Sequence, residues 1–582
     1  MQTVSTAYKN SMKSPLRERA YIMISFGIIN QEIQEKATVN NGDFTYYSNT
    51  QNVIGNHEDD TVYATLEENF TKVDGSMFFV PRQSSGISYY DTGIVSNQLI
   101  TGSTYGSVKI SLNTSAIDFK GLSINFGENY PLDFDVVSST GQLLEVRGNT
   151  KSKWSTEEVF ENTTSIELVF YAMKNSQNRF RIYSILFGYG LVYYNDSVIS
   201  STLDSYISPI GEDVPQIDFS VTLKNYDRYF DVDNPKSAIN FLETGQEMDI
   251  QYGYQLPNSD SIEWINGNHL VCADWESDDS TATIRCQDIY RNMDSEYYKG
   301  RYVSSGKSYY DLAQEVLADA GITDYDIDPR LKTLFTKNPL PRVLHKEALQ
   351  IIANACRCVL SQSRDGIVQI KSSVGDVTDF EMSRNDMISS PTAIKQELVK
   401  EVIVPCYTYQ EDSPEENLVG EDITVTTGDT VTYYIGEASY GYRVLFNESD
   451  SNVSIIACGS YYITVRFNIS GTHRLDIFGH KYKVAERYAI KSLNNRGQSI
   501  KWENPLVSEI GMAQDLADWL GAYYSSGVEY EYNTRGNPEI DVTDVIYQEN
   551  DFRGQMRVQV CQSTLDFNES FSGKITTRRM ED

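Results

Sequence analysis

A mainly β chain with an α/β part is what this sequence predicts. Short runs of alternating apolar and polar residues, closed by Gly, Asn and Asp turns, recur through most of the 582 residues. Tyrosine, which suits half-buried pleated surfaces, occurs 41 times. Helical spacing is confined to three stretches, near residues 308–321, 348–355 and 513–520. At this length one core does not suffice, and about three to five domains are expected.

The elements follow in order. A polar lead precedes a strand from Ala20 to Gly27, and an Asn-rich linker leads to Thr65. From about residue 70 strands come at short intervals, among them Leu122–Phe126, Leu132–Val136 and Ile166–Phe170, as in a jelly-roll or sandwich module. The stretch from Val214 to Tyr254 alternates through Ile217, Phe219, Val221 and Leu223. It turns at Lys224-Asn225-Tyr226-Asp227 and again at Asp231-Val232-Asp233-Asn234-Pro235, and leaves as a strand through Met248, Ile250 and Tyr252. By physics alone this is a half-buried antiparallel unit of a β-barrel or sandwich.

The period then changes. Ser308 and Asp311 form a capping box ahead of Leu312, Val316 and Leu317, with Gly321 as the stop. A second helix carries Ala348, Leu349, Ile351, Ile352 and Ala355, and Asp365-Gly366 turns a hairpin. A β-rich stretch fills roughly 417–480, and Ala513–Leu520 is a third helix before the closing strands.

Several separated motifs, taken in order, resemble the baseplate-hub (tail-associated) proteins of long-tailed bacteriophages, a family also found in phage-derived injection particles. These are the Asn225-to-Pro235 turn, Gly245-Gln246, Ala320-Gly321, Asp328-Pro329, Leu340-Pro341, Glu347-Ala348-Leu349, Asp365-Gly366 and Arg535-Gly536-Asn537-Pro538-Glu539. Asn178 to Gly188 is similar to the last strand of discoidin or galactose-binding-like modules. The resemblance implies two hub-type β-barrels, a mixed α/β connecting domain and inserted β-sandwich modules. The expected division is 1–69 as lead and first strand of barrel 1, 70–188 as the inserted galactose-binding-like module and 189–299 as the rest of barrel 1. It continues with 300–389 as the connecting domain, 390–416 opening barrel 2, 417–480 as a small inserted module and 481–582 as the rest of barrel 2 with a helix.

The function this implies is structural, not enzymatic. A trimeric baseplate or tail-tip hub adapts a sixfold tail tube to a threefold tip and surrounds the channel for DNA ejection. Implied partners are two further copies of the chain, a distal tail protein or tube ring, a tape-measure protein, tip fibre or plug proteins and DNA in transit. The second expectation is a carbohydrate-binding host-recognition protein acting on a surface glycan through residues 70–188. The third is a cell-wall hydrolase, for which the chain leaves no room after its last barrel.

Forty-nine basic against 81 acidic residues give a formal charge of −32. That excludes a nucleic-acid-gripping protein, which needs a basic face, and suits either solubility or an acidic channel wall. No run of about 18 apolar residues and no signal peptide is present, so synthesis in a host cytoplasm without stable membrane insertion is expected.

Candidate chemistry is sparse. Seven scattered cysteines, with Cys356 and Cys358 one residue apart, read as buried thiols and not as a disulfide framework or zinc site. Gly300 to Ser308 has the outline of a phosphate loop, but five residues separate its glycines, so Lys307 and Ser308 read as linker and helix cap. Asp227, Asp231 and Asp233 could gather round calcium yet fit turn chemistry better. His473, Asp476 and His480 have metal-ligand chemistry, but strand alternation puts His473 and Asp476 on opposite faces. Trp154, Tyr89 and Tyr90 are candidates by type for stacking on a sugar. No catalytic, cofactor or metal residue is expected.

Overall fold

The structure is a computed structural model. It describes residues 1–580 except 41, 51–52, 55–61, 78–92, 102, 232, 235–236, 238–244, 258–260, 373–376 and 526. The fold is mainly β with a small α part, and a single 13-stranded sheet runs through both ends of the chain.

Twelve strands of that sheet form two six-strand repeats. The first has β1 (Ala20–Ile29), β2 (Val198–Tyr206), β3 (Gln216–Lys224), β4 (Glu247–Gln255), β5 (Ile262–Ser277) and β6 (Thr281–Gln287). The second has β7 (Val377–Met382), β8 (Thr392–Lys395), β9 (Val528–Thr534), β10 (Val545–Asn550), β11 (Gly554–Phe567) and β12 (Phe571–Arg579). Spatial order is β1-β4-β5-β6-β3-β2 in the first and β7-β10-β11-β12-β9-β8 in the second, the same path through six strands. The repeats differ at their first strand, which is antiparallel to its neighbour in one and parallel in the other. The remaining strand, Gly188–Tyr194, lies outside β1.

Alternation explains each wall. Ile217, Phe219, Val221 and Leu223 of β3 all point into one core with Ile22, Ile24, Ile250, Tyr252, Ile284 and Cys286. Met556, Val558, Val560, Tyr530, Tyr532 and Ile575 fill the other. The repeats share one hairpin: the tip of β11–β12, with Leu565, Phe567 and Phe571, reaches into the first core. β2 pairs with the second half of β11, from Ser201 opposite Phe567 to Tyr206 opposite Gln562, and this pairing makes the two barrels one sheet.

The connecting region packs α2 (Tyr309–Asp319) and α3 (His345–Ala355) on a three-stranded sheet of residues 325–327, 358–362 and 368–372. Ser308 caps α2 by accepting from the Asp311 N–H at 3.0 Å. Gly321 follows at φ +76°, with the Ile322 N–H on the Leu317 carbonyl.

Two insertions leave and re-enter through adjacent strand ends. The first is a sandwich of a five-stranded and a three-stranded sheet around Phe119, Phe126, Phe134, Phe160 and Phe170. Its sheet begins with Thr38–Val39, paired to Ser111 and Ile110, well before the expected boundary at 70. The Asn-rich composition that suggested a linker conceals this two-residue strand. The second sandwich stacks residues 415–425, 471–481 and 439–446 on 430–434, 462–467 and 453–458. Residues 399–410, expected within barrel 2, instead pair with 483–492 and 498–501 in a separate sheet. Their apolar face is taken by α4 (Ile510–Ser525), through Ala513, Leu516, Ala517 and Leu520.

Candidate functional site

A set of long-range polar contacts lies where the barrels meet. The loop between β9 and β10, residues 535–544, is turned by Asn537, whose side chain accepts from the Glu539 N–H at 3.1 Å, and by Pro538. Onto it fold the first residues of the chain. Ser5 accepts from the Tyr8 N–H at 3.1 Å and so starts α1 (Thr6–Met12). α1 buries Tyr8 against Tyr254, ring centroids 5.6 Å apart, and the Tyr8 hydroxyl donates to Asn537 at 2.9 Å. Burial, reinforced by the Glu539 charge, pushes the Tyr8 hydroxyl far above its usual range, so it stays a donor.

The carboxylates of this loop are each answered. Glu539, 1% exposed, meets Lys9 Nζ at 3.2 Å. Asp541 takes Arg364 from the Asp365-Gly366 turn at 2.6 Å and the Gln2 amide at 2.8 Å. Asp544, 4% exposed, takes the Met1 amine at 2.5 Å. Burial, with Asp541 adding to it, raises the Asp544 carboxyl to about 6. Arg17 donates to the Arg535 and Gly536 carbonyls, while Arg535 returns bonds to the Ser14 and Pro15 carbonyls. Burial, then the neighbouring Arg535 charge, lowers Arg17 to about 10. Arg364 also donates to the Asn266 carbonyl of β5 and to the Pro538 and Ile540 carbonyls. One guanidinium thus ties the connecting region to both barrels. The arrangement clamps; it presents no nucleophile beside a base.

The residues singled out by type lie apart from this joint. Lys307 pairs with Glu315, and Gly300 sits so close to Leu340 that an added Cβ would stand 1.9 Å from its carbonyl oxygen. That stretch is a packed linker. Asp227 and Asp231 accept the N–H groups of Tyr229 and Asp233 at 3.2 and 3.0 Å, as turn residues do. Along residues 471–481, His473 shares a face with buried Leu475 and Ile477 and sits edge-on to Phe446, 5.3 Å away. Asp476 and His480 face the other way, His480 stacked on Tyr440 and bonded to the Ser413 carbonyl at 2.7 Å. All seven cysteines are free and six are buried. Burial raises the Cys358 thiol to about 12 and raises the Cys356 thiol as well.

Trp154, taken by type for a loop aromatic, is a core residue: 8% exposed and edge-on to Phe134 at 5.1 Å. Its strand alternates inward there, which composition does not show. Tyr89 and Tyr90 lie outside the described residues. Among the described residues no helix is long and apolar enough to cross a membrane. The joint residues Tyr8, Arg364, Asp541 and Asp544 carried no sequence signal beyond the neighbouring Arg535-to-Glu539 motif.

No family model matches the sequence, and no curated protein matches it. Among solved structures the chain is similar to phage tail proteins. The 43 kDa tail protein of prophage MuSo2 from Shewanella oneidensis is 10% identical at a TM-score of 0.36, over 66% of this chain and 94% of that one. A tail protein from Neisseria meningitidis gives 10% identity and 0.36 over 66% and 93%. Prophage tail protein gp18 from Listeria monocytogenes gives 10% identity and 0.35 over 77% and 94%. These likenesses are distant.

Proposed function

We propose that the chain is a structural subunit of a phage-type tail tip, a hub that assembles as a trimer. One observation carries this reading: a six-strand unit of fixed strand order occurs twice, and the two copies are fused edge to edge into one sheet. Two equivalent units per chain make six around the axis of a trimer. Such a ring offers six similar positions to a sixfold tube and three chains to a threefold tip, so symmetry is converted by geometry alone. The motif order shared with baseplate-hub proteins and the charge of −32 per chain support the same reading, the latter giving an acidic wall that does not grip passing DNA. Its partners are then a tube ring above, and tape-measure and tip or plug proteins within and below. The work is that of an adaptor, not of a catalyst.

The test is the mass of the purified chain by light scattering, followed by class averages in the electron microscope. Three chains in a ring with a central hole and six peripheral lobes is the expected result. A monomer at every concentration overturns the proposal. The acidic wall is tested separately, by mapping charge on the assembled ring; a neutral or basic lumen would sink it.

A further inference from the structure

The joint inside the chain is a contact between the second strand of one repeat and the fifth strand of the other. β2 lies antiparallel on the second half of β11, and the Ile207 N–H closes it on the Cys561 carbonyl at 3.0 Å. The same two half-contacts occur a second time, not joined to each other. β8, the second strand of the other repeat, ends the sheet: it pairs with β9 on one side and with no described strand on its outer side. All four of its residues are exposed, and Ile394 at 44% and nearby Leu398 at 41% are bare apolar side chains. The Gln396 N–H turns inward to the Gly527 carbonyl at 2.9 Å, so the alternate N–H groups of Ala393, Lys395 and Glu397 point outward. An exposed edge with apolar side chains is a template for another strand.

The matching acceptor is the second half of β5. β4 accompanies β5 only as far as Val271, while β6 follows it to Ser277. Among the described residues no strand pairs with Asp274 to Ser277 on the side away from β6. The Ala273 carbonyl meets the Arg291 guanidinium, at 3.4 Å, a long bond that a backbone donor can replace.

Bulges set the register. β5 carries one between Cys272 and Asp274, and β11 carries one between Val560 and Gln562. Beside each, the incoming loop closes in the same way: the Gly245 N–H bonds the Cys272 carbonyl and the Thr543 N–H bonds the Val560 carbonyl, both at 2.8 Å. Cys272 therefore corresponds to Val560 and Asp274 to Gln562. Following the ladders across each repeat equates Thr392 with Thr202 and Ile394 with Asp204.

We infer that β8 of one chain adds to the second half of β5 of a neighbouring copy, repeating between chains the β2–β11 joint within them. The register copied from that joint puts Ala393 opposite Ser277, Ile394 opposite Glu276, Lys395 opposite Trp275 and Gln396 opposite Asp274. The Glu397 N–H then aims at the Ala273 carbonyl of the partner copy, as Ile207 aims at Cys561. Donor and acceptor patches differ, so the contact is heterologous and closes a ring when internal and external joints alternate. This rests on the trimeric ring proposed above and names the backbone that seals it.

Disulfide trapping tests the register. Ile394 and Glu276 are exposed, and as a directly opposed antiparallel pair they bring Cβ atoms within disulfide reach. In a Cys458→Ser background, which removes the one exposed native thiol, Ile394→Cys with Glu276→Cys is oxidised and run on a non-reducing gel. Linked species of two and three chains that collapse on reduction are expected, whereas either single variant cannot pass two chains. Shifting one partner to Ser277→Cys turns the two thiols to opposite faces and cuts the three-chain product at least tenfold. The mass of the unsubstituted chain is measured alongside. A trimer that never links in either register overturns the strand pairing and leaves the ring standing, while a monomer overturns both.

Discussion

Replacing Arg364 by Ala removes a side chain of the connecting region that bonds to both barrels. Its guanidinium serves four acceptors: Asp541 and the carbonyls of Asn266, Pro538 and Ile540. Hydrogen bonds of a charged donor contribute about 1.5–3 kcal/mol each, but they are not additive. Removing one partner of a buried pair costs about 3–5 kcal/mol. Asp541 keeps the Gln2 amide and is 29% exposed, so the low end applies, about 3 kcal/mol. Because the chain holds several separate cores, the loss falls on residues 535–544 rather than on the whole molecule. Native-state hydrogen exchange reads it directly at the Ile540, Thr543 and Asp544 amides, which close this loop. Converted at 1.36 kcal/mol per decade, their exchange should quicken roughly 100-fold, while amides of the 119–170 sandwich stay as they were. Arg364→Lys, which keeps the charge without the fork, should recover part of the protection. Unchanged exchange at all three amides in Arg364→Ala would refute the clamp.

Three further outcomes follow from the same geometry. Burial raises the Asp544 carboxyl, and likewise Asp288, to about 6; the folded state holds these protons more tightly than the unfolded one, so these two groups disfavour folding increasingly as pH rises from about 4 to 6. Asp544→Asn should remove about half of that destabilisation, of order 3 kcal/mol, in urea titrations run across the window. His269, raised to about 10 chiefly by Asp249 and then by Glu247, contributes stability that is complete below pH 6.5 and is lost as pH climbs toward 10; His269→Gln should flatten thermal melts compared at pH 6.5 and 9.5. Trp154→Ala empties part of the first sandwich and should cost about 3–5 kcal/mol in its calorimetric transition; a cost below about 1 kcal/mol would contradict its core position.

Local elements were legible because the chemistry that makes them is local. Ile217 to Leu223 alternates and becomes β3, Ser308 and Gly321 bracket α2, and Asp365-Gly366 turns its hairpin with Gly366 at φ +82°. Ala513–Leu520 lies inside α4. What escaped was long-range. Thr38–Val39 is too short to show a period, and 399–410 alternates like a barrel strand, although a helix more than a hundred residues later claims its apolar face. The β2–β11 pairing spans some 360 residues and is selected by the shared core of Leu203, Leu565 and Phe567, not by either strand's own pattern. The joint was hidden for the same reason: Tyr8, Arg364 and Asp541 are ordinary residues until three distant segments converge. Trp154 shows the converse, since residue type suggested a role that its position in a strand denies.

Both sandwiches hang from paired strand ends. Ile29 lies opposite Gly188 where the first departs and returns, and Gln410 lies opposite Lys483 where the second does. Opposed residues of an antiparallel ladder have Cα atoms about 5 Å apart, a gap that a tight turn can span. Each sandwich also keeps its own core. The chain is therefore organised as a fixed chassis with two sockets, one on each of two sheets, at which whole modules can be exchanged during evolution, or by a protein engineer, without re-registering a single strand of the sheets that carry them.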